Sequence, residues 1–169
     1  LNANKDPLTV IKAFSEFVQY KLSSKLYMIY HTEASKEEIL QLIQTDSRLQ
    51  DKVILVGKVP HAELLYWYNS ADFVLAGSYY ESGGVSLCEA MSCGCIPIVT
   101  NIQSFRKMTG PGKCGFLYEP GDHKELFSLL MQTTELDKKN EQQKVLQQFR
   151  EEISFPAIAK KITHVISSL

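Results

Sequence analysis

The sequence predicts a three-layer α/β domain in which helices cover both faces of a parallel sheet. Short apolar runs of strand length alternate with amphipathic segments of helical period along most of the chain. A chain of 169 residues, 44% hydrophobic and 22% charged, is long enough for one globular core. Strands that alternate with helices at this rhythm form βαβ units rather than hairpins.

The first half of the chain carries two helices and two strands. Asp6 and Pro7 predict a helix start, with Asp as the cap and Pro at the first helical position. Ser35 and Glu38 have the spacing of a capping box. The β-branched run at 52–57 is typical of a strand buried on both faces. The predicted elements are, in order, helix 7–21, strand 25–31, helix 35–44 and strand 52–57.

The second half continues the alternation and then ends in helices. Its predicted elements are helix 60–71, strand 72–78, helix 85–93, strand 95–100, strand 115–119, and helices 122–134, 137–151 and 155–168. The segment 101–108 is predicted as a loop. The whole pattern predicts a Rossmann-like fold, whose ligands bind beyond the carboxyl ends of the strands. Candidate site residues therefore follow strands 52–57, 72–76 and 95–100.

Charge and cysteine content exclude several function classes. The formal net charge of −1 and a pI near 6.5 do not predict a nucleic-acid-binding face. No apolar run has the length of a membrane-spanning helix, and no signal-peptide pattern is present. The cysteines lack the spacing of a zinc site, so no metal is predicted and they are interpreted as reduced packing residues: Cys88, Cys93, Cys95 and Cys114.

The loop after strand 72–76 has the composition of an anion site. The segment 82–84, Ser-Gly-Gly, leaves the backbone bare where a helix begins, and free N–H groups together with the helix dipole attract a phosphate. Glu81 precedes this segment and Glu89 follows it, so the two carboxylates suit hydroxyl groups on either side of a diphosphate. A nucleotide sugar has that arrangement. The same residues are also typical of a tight βα turn followed by a helix with a solvated Glu. The spacing alone leaves both interpretations open.

A family resemblance favours the first interpretation. The stretch "ESGGVSLCEAMSCGCIPIVT" resembles the Glu-x₇-Glu signature of retaining GT-B glycosyltransferases, in particular the family-4-like, group 1 enzymes. Three further passages are similar to the same family in the same order: "NKDPLTVIKAF", "VILVGKVPHAELLYWYNSADFVLAGSYYES" and "GKCGFLYEPGDHKEL". The resemblance covers nearly the whole chain, and it implies one Rossmann-like half of a GT-B fold.

The resemblance also implies residue roles. Glu81 is expected to contact the hydroxyls of the donor sugar, Glu89 to hold the ribose, and Lys5 to neutralise the diphosphate as the nucleotide leaves. Main-chain N–H groups for the diphosphate are expected, chiefly from Gly84, Val85 and Ser86, within the set Ser82, Gly83, Gly84, Val85, Ser86 and Leu87. The base pocket is expected at Gly57, Lys58 and Val59. His61 is interpreted as a cap-like surface residue, with a base-pocket contact as the alternative.

Some passages depart from the family pattern. "IYHTEAS" replaces the usual Gly-x-Gly turn and places Tyr30 and His31 near the expected base, so the base of the donor is not assigned. "NIQSFRKM" stands where the family often has Gly-Gly-x-x-Glu. The family's first strand, an arginine before Leu1 and the N-terminal domain are not in the sequence. Residues 1–169 are therefore expected to form the C-terminal, nucleotide-sugar-binding domain, with little transfer activity of their own.

The expected function is transfer of a hexosyl group from a nucleoside-diphosphate sugar to a glycan, lipid or small-molecule acceptor, as in polysaccharide biosynthesis. No cofactor and no metal are expected. The expected partners are the nucleotide sugar, the acceptor and the protein's own N-terminal domain. A cytoplasmic location is expected. Any attachment to the inner membrane face is expected to come from the N-terminal domain. The alternatives are a non-hydrolysing nucleotide-sugar epimerase and a non-catalytic nucleotide-binding module.

Overall fold

The computed structural model of the protein describes residues 1–168. The strands are β1 (Leu26–Ile29), β2 (Val53–Gly57), β3 (Phe73–Ala76), β4 (Ile96–Thr100) and β5 (Phe116–Tyr118). The α-helices are α1 (Pro7–Phe17), α2 (Lys36–Thr45), α3 (His61–Ser70), α4 (Val85–Ser92), α5 (Gln103–Thr109), α6 (His123–Gln132), α7 (Lys138–Gln148) and α8 (Phe155–Ser167). Two 3₁₀ turns, Ala3–Lys5 and Thr133–Glu135, and one π turn, Phe149–Ile153, complete the described chain.

All strand pairs are parallel, and helices lie on both faces. Strand β1 pairs with β2, whereas β3, β4 and β5 form a second hydrogen-bonded group in that order. Side chains of both groups share one core with α1 and α6, which contribute Phe14 and Leu126. The opposite face of β4 packs with α4, α5 and α7 around Met91, Phe105 and Val145. The predicted Rossmann-like, three-layer α/β architecture is confirmed.

Several details differ from the sequence-based expectations, including α1, which ends at Phe17 rather than at residue 21. The segment 103–109 is helix α5 rather than a loop, and it begins after Ile102 without a side-chain cap, so the sequence carried no start signal. The Ser35 side chain makes no capping hydrogen bond. Strand β2 has only Val53 buried and β3 is half-buried throughout, whereas β4 is buried at every residue.

The incomplete burial of β3 has a structural cause. Strand β3 pairs with β4 on one edge, and no strand within residues 1–168 pairs with its other edge. The inner edge of β1 is open in the same way. Helix α3, which connects β2 to β3, buries none of its residues although it contains Leu65, Tyr66 and Trp67. No helix in this part of the chain is both long and apolar enough to cross a bilayer.

Asp46, at the end of α2, forms a two-point ion pair with Arg48 and a hydrogen bond with Ser15 of α1. Arg48 donates from Nε to Oδ1 and from Nη2 to Oδ2, both at 2.7 Å, and the buried Ser15 hydroxyl donates to Oδ2. The hydrogen bonds from Arg48 are the main cause that lowers the pKa of Asp46 to about 2, and Ser15 adds to it. A carboxyl with a lowered pKa stabilises the fold above its ordinary pKa of 3.8, and that contribution disappears as the pH falls towards 2.

We therefore expect Asp46→Asn to lower the free energy of unfolding by about 1–2 kcal/mol at pH 7. The difference from the wild-type protein should shrink as the pH falls from about 4 towards 2. Urea unfolding across this range measures it. Glu135→Gln is the control, because this exposed side chain makes no hydrogen bond or ion pair recorded in residues 1–168. A difference for Asp46→Asn that does not change with pH would contradict the assignment.

Candidate functional site

The start of the chain lies against the loop that follows β3. Tyr79 N donates to Asn4 O at 2.9 Å, and Asn4 Nδ2 donates to Tyr80 O at 3.0 Å. A Cβ placed on Gly77 would come 2.9 Å from Asp6 O and 3.0 Å from Lys5 O. Since both atoms belong to the backbone, only glycine permits this approach. The contact fixes the 3₁₀ turn Ala3–Lys5 beside the carboxyl end of β3.

This docking brings together two of the predicted site residues. Lys5 Nζ contacts Glu81 Oε1, although the residues lie 76 positions apart in the sequence. The hydroxyl of Ser78, which is buried, donates to the same oxygen at 2.8 Å. The Glu81 side chain is only 16% exposed, whereas that of Lys5 is 48% exposed. The carboxylate is therefore held from two sides and the ammonium group keeps access to solvent.

The backbone of the loop is itself fixed from the neighbouring strands. Thr100 Oγ1 donates to Ser78 O at 2.6 Å, and the Tyr118 hydroxyl donates to Ala76 O at 3.2 Å. Burial is the main cause that raises the pKa of Tyr118, and the nearby Asp6 adds to it. Both bonds come from the carboxyl ends of β4 and β5, so the position of Glu81 is set by the sheet.

Helix α4 begins next to this loop with unpaired N–H groups. Gly84 is its N-cap, with φ +56°, and the structure records no side-chain cap there. No hydrogen bond within residues 1–168 involves the N–H groups of Gly84, Val85 or Ser86. The N–H of Leu87 donates to Gly84 O at 2.9 Å. The three donors that were expected to contribute most are thus free, as are the N–H groups of Ser82 and Gly83, whereas Leu87 anchors the helix through its buried side chain.

Helix α5 lies beneath this start of α4. A Cβ on Gly84 would meet Met108 Sδ at 3.0 Å and Phe105 Cε1 at 3.2 Å, so the backbone rests directly on the α5 side chains. Ser82 and Gly83 are exposed, and a Cβ on Gly83 would meet nothing within 4 Å. The loop is therefore packed below and open above.

Glu89 lies on α4 and meets α3 rather than Lys5. His61 Nε2 is 2.7 Å from Glu89 Oε1, with His61 82% exposed and Glu89 29% exposed. Tyr68, at the other end of α3, also faces Glu89. Burial first, and then the negative charge of Glu89, raise the pKa of Tyr68 to about 12.

The segment predicted as a base pocket follows β2 and leads into α3. Gly57 has φ +80°, a value that favours glycine, and its carbonyl accepts a hydrogen bond from Tyr30 N at 3.1 Å. Lys58 is exposed, while Gly57 and Val59 are partly buried. Their backbone leads directly to His61, so this segment and the Glu89 contact lie at the same end of α3.

The cysteines are all free, and Cys95 and Cys114 are buried. Burial raises the pKa of each of these two thiols to about 12, so neither is a thiolate at neutral pH. In the described part of the chain, no group of three or more His, Cys, Asp or Glu residues is arranged to hold a metal ion.

Two contacts of the site were missed in the sequence. Ser78 was not singled out, although it stands three positions before Glu81 at the end of a strand, where a hydroxyl can bond the carboxylate. The pairing of His61 with Glu89 spans 28 positions and has no local signal. The structure places Lys5, Glu81 and the start of α4 around one loop, and Glu89 farther along the helix.

The fold is that of the Rossmann-like α/β domains found in GT-B glycosyltransferases. The C-terminal domain of a group 1 family protein, LpcC from Francisella tularensis, has a TM-score of 0.82 at 18% identity over 92% of this chain and 83% of that chain. HepE of Anabaena in complex with UDP-glucose has a TM-score of 0.79 at 20% identity, over all of this chain and 47% of HepE.

Sequence comparison identifies the family. The model of the family "Glycosyl transferases group 1" matches residues 1–148, and the chain belongs to that family. The D-inositol 3-phosphate glycosyltransferase of Pseudarthrobacter chlorophenolicus is 27% identical over 121 residues, which are 70% of this chain and 29% of that enzyme. The chain thus spans under a third of that relative's length.

We expect Gly77→Ala to destabilise the fold by about 1–3 kcal/mol, because the added methyl group would come within 3.0 Å of two backbone oxygens, so that the backbone must shift. Gly83→Ala is the matched control in the same loop, and its stability should stay within about 0.5 kcal/mol of wild type or rise slightly. Urea unfolding compares the two. Equal stability of both variants would show that the approach at Gly77 does not constrain the fold.

Proposed function

We propose that this chain is the donor-binding, C-terminal domain of a retaining GT-B glycosyltransferase. It would bind a nucleoside-diphosphate sugar and help to move the hexosyl group to a glycan, lipid or small-molecule acceptor. The observation that supports this most directly is the convergence of Lys5, Glu81 and the free N–H groups of α4 on one loop. The names of the relatives agree, since one is a glycosyltransferase and one is in complex with UDP-glucose.

The proposed diphosphate position is the start of α4. The N–H groups of Gly84, Val85 and Ser86 and the positive end of the helix dipole favour an anion there. Lys5 is the adjacent cation and is half-exposed, so its ammonium group can turn from Glu81 to a phosphate oxygen. Negative charge develops on the diphosphate as the glycosidic bond breaks, and oriented donors at that point stabilise the transition state.

Glu81 is the proposed contact of the donor sugar. Its Oε1 already accepts from Ser78 and Lys5, while no hydrogen bond within the described residues involves Oε2. An ionised carboxylate is an acceptor only, so Oε2 suits a sugar hydroxyl, which can donate. In the proposed mechanism Glu81 orients the sugar, and Lys5, the helix start and an arginine from the segment before Leu1 stabilise the leaving nucleotide.

The donor chemistry proposed here needs no metal ion, because Lys5 and the N–H groups supply the positive charge that a cation would supply. Glu89 is proposed to bind the ribose, and the backbone of Gly57, Lys58 and Val59 to contact the base. The acceptor would approach from the N-terminal domain across a cleft. We also propose that catalysis takes place in the cytoplasm and that the N-terminal domain provides any attachment to the inner membrane face.

Two unpaired strand edges support the proposed domain organisation. The inner edges of β1 and β3 are unpaired within residues 1–168. The first four residues connect the carboxyl ends of the two strands, since the Leu1 ammonium group contacts Thr32 O after β1 and Asn4 O accepts from Tyr79 N after β3. We propose that one parallel strand, from the segment preceding Leu1, joins the two strand groups into one sheet and covers the half-buried side chains beneath α3.

Hydrogen exchange tests this arrangement. In the full-length polypeptide, we expect the inner-edge amides of Leu26–Ile29 and Phe73–Ala76 to be protected at least about tenfold more than in residues 1–169 alone, because a strand hydrogen bond must open before exchange. Ile96–Thr100, which is paired on both sides, is the internal control and should differ much less. Equal protection of β3 in the two polypeptides would contradict the proposed strand.

We expect Lys5→Ala to weaken binding of a nucleoside diphosphate by about 10- to 100-fold, because a charge-assisted contact to phosphate is lost. Binding of the corresponding nucleoside, which has no phosphate, should be unchanged. Titration calorimetry with UDP, GDP and ADP on the full-length polypeptide measures the effect and identifies the base.

Lys138→Ala is the matched control for Lys5→Ala. Lys138 pairs with Asp72 at 2.9 Å and is 47% exposed, close to the 48% of Lys5, but it lies on α7 away from the loop. Its affinity for the nucleotide should equal that of the wild type. If none of the three nucleotides binds, and Glu81→Gln and Glu89→Gln leave transfer unchanged, the proposed site is wrong.

A further inference from the structure

His61 and Glu89 form a contact that the proposed mechanism does not yet use. His61 is the first residue of α3, and its Nε2 lies 2.7 Å from Oε1 of Glu89 in the middle of α4. The imidazole donates through Nε2 both as a cation and as the neutral Nε2–H tautomer. His61 therefore engages one carboxylate oxygen of Glu89. The Tyr68 hydroxyl also faces this carboxylate from the same helix, but no hydrogen bond with normal geometry in residues 1–168 involves the other oxygen, Oε2.

Few other contacts hold the start of α3. No residue of α3 is buried, and Pro60 provides no side-chain cap. The far end of the helix is attached separately, since Cys95 Sγ donates to Tyr68 O at 3.0 Å and Asn69 Nδ2 lies 3.7 Å from Cys93 Sγ. The pairing of His61 with Glu89 thus fixes both the near end of α3 and the side chain of Glu89.

We propose that His61 is a positioning residue that holds Glu89 in the one rotamer in which Oε2 faces the ribose hydroxyls of the bound nucleotide. This inference rests on the proposed role of Glu89. A long glutamate side chain on a helix surface samples several rotamers, and ordering it lowers the affinity of any ligand that needs one of them. Because His61 fixes the rotamer before binding, the ligand does not have to do so.

The position of His61 gives it a second constraint. It follows the segment Gly57–Val59, which is proposed to contact the base, by only two residues. The ribose joins the base to the diphosphate, so a group between these segments lies where the ribose hydroxyls must be. His61 therefore sets which hydroxyls Glu89 reaches, and its effect should be specific for ribose.

The experiment uses calorimetry on the full-length polypeptide with two probes. The probes are whichever of UDP, GDP and ADP binds the wild type most tightly, and its 2′,3′-dideoxy counterpart. For His61→Ala we expect about fivefold weaker binding of the ribonucleotide and no change for the dideoxy nucleotide. His61→Gln should recover most of the affinity, because its amide N–H can donate to Glu89. In His61→Ala/Glu89→Gln, the histidine change should add no further loss to that of Glu89→Gln.

His123→Ala is the matched control. His123 is also the first residue of a helix and also faces a glutamate, Glu16, at 3.8 Å, but it lies on α6 outside the site. It should bind both probes as the wild type does. A purely structural role of His61 would weaken both probes equally, and that result, or an unchanged His61→Ala, overturns the inference. Failure of the wild type to bind any of the three nucleotides is a different result and overturns the proposed function as well.

Discussion

The close approach of the segment Asn4–Asp6 to the loop after β3 is the contact on which the site depends. It requires glycine at position 77, because any Cβ there would meet two backbone carbonyl oxygens at about 3 Å. Two hydrogen bonds, from Tyr79 N and Asn4 Nδ2, then hold the segments together. Lys5 reaches Glu81 only as a consequence of this backbone contact. Since the ammonium group is at the end of a flexible chain, the rigid backbone rather than the side chain determines where the positive charge is placed.

The charged groups around the loop occupy separate positions, and none of them is fully buried. Glu81 is mostly buried but accepts from Lys5 and Ser78, which offsets its loss of hydration. The start of α4 carries partial positive charge from its free N–H groups. Glu89 is farther along α4 and its carboxylate faces His61 on α3 rather than the helix start. The two glutamates thus flank the proposed diphosphate position instead of competing with it.

Most of the fold was predictable because its signals are local. Asp6 before Pro7 correctly marked the start of α1, and the Ser-Gly-Gly segment correctly marked the start of α4. Helix α5 was missed because it begins without a capping side chain, and tertiary packing under Gly84 determines its place. The contacts that connect the site residues were not predictable from spacing, since they join segments 28 and 76 positions apart. The motif alone was enough to identify the candidate residues. Which of them contact each other depends on how the sheet brings distant segments together.

The proposed donor site differs in rigidity between its two ends. At the diphosphate end, Thr100 and Tyr118 bond the backbone around Ser78 from two adjacent strands, and Gly84 rests on the α5 side chains, so the start of α4 is supported before a ligand arrives. At the base end, α3 buries no residue and is held by the contacts of its two ends with Glu89 and Cys95. A ligand group binds more tightly to donors that are already ordered, because no binding free energy is then lost in ordering them. The phosphates would therefore meet the more rigid end of the proposed site, while at the other end His61 orders Glu89 and the base would contact main-chain groups. This arrangement explains why the residues between Gly57 and His61 do not identify the base: backbone groups are the same whatever the side chains.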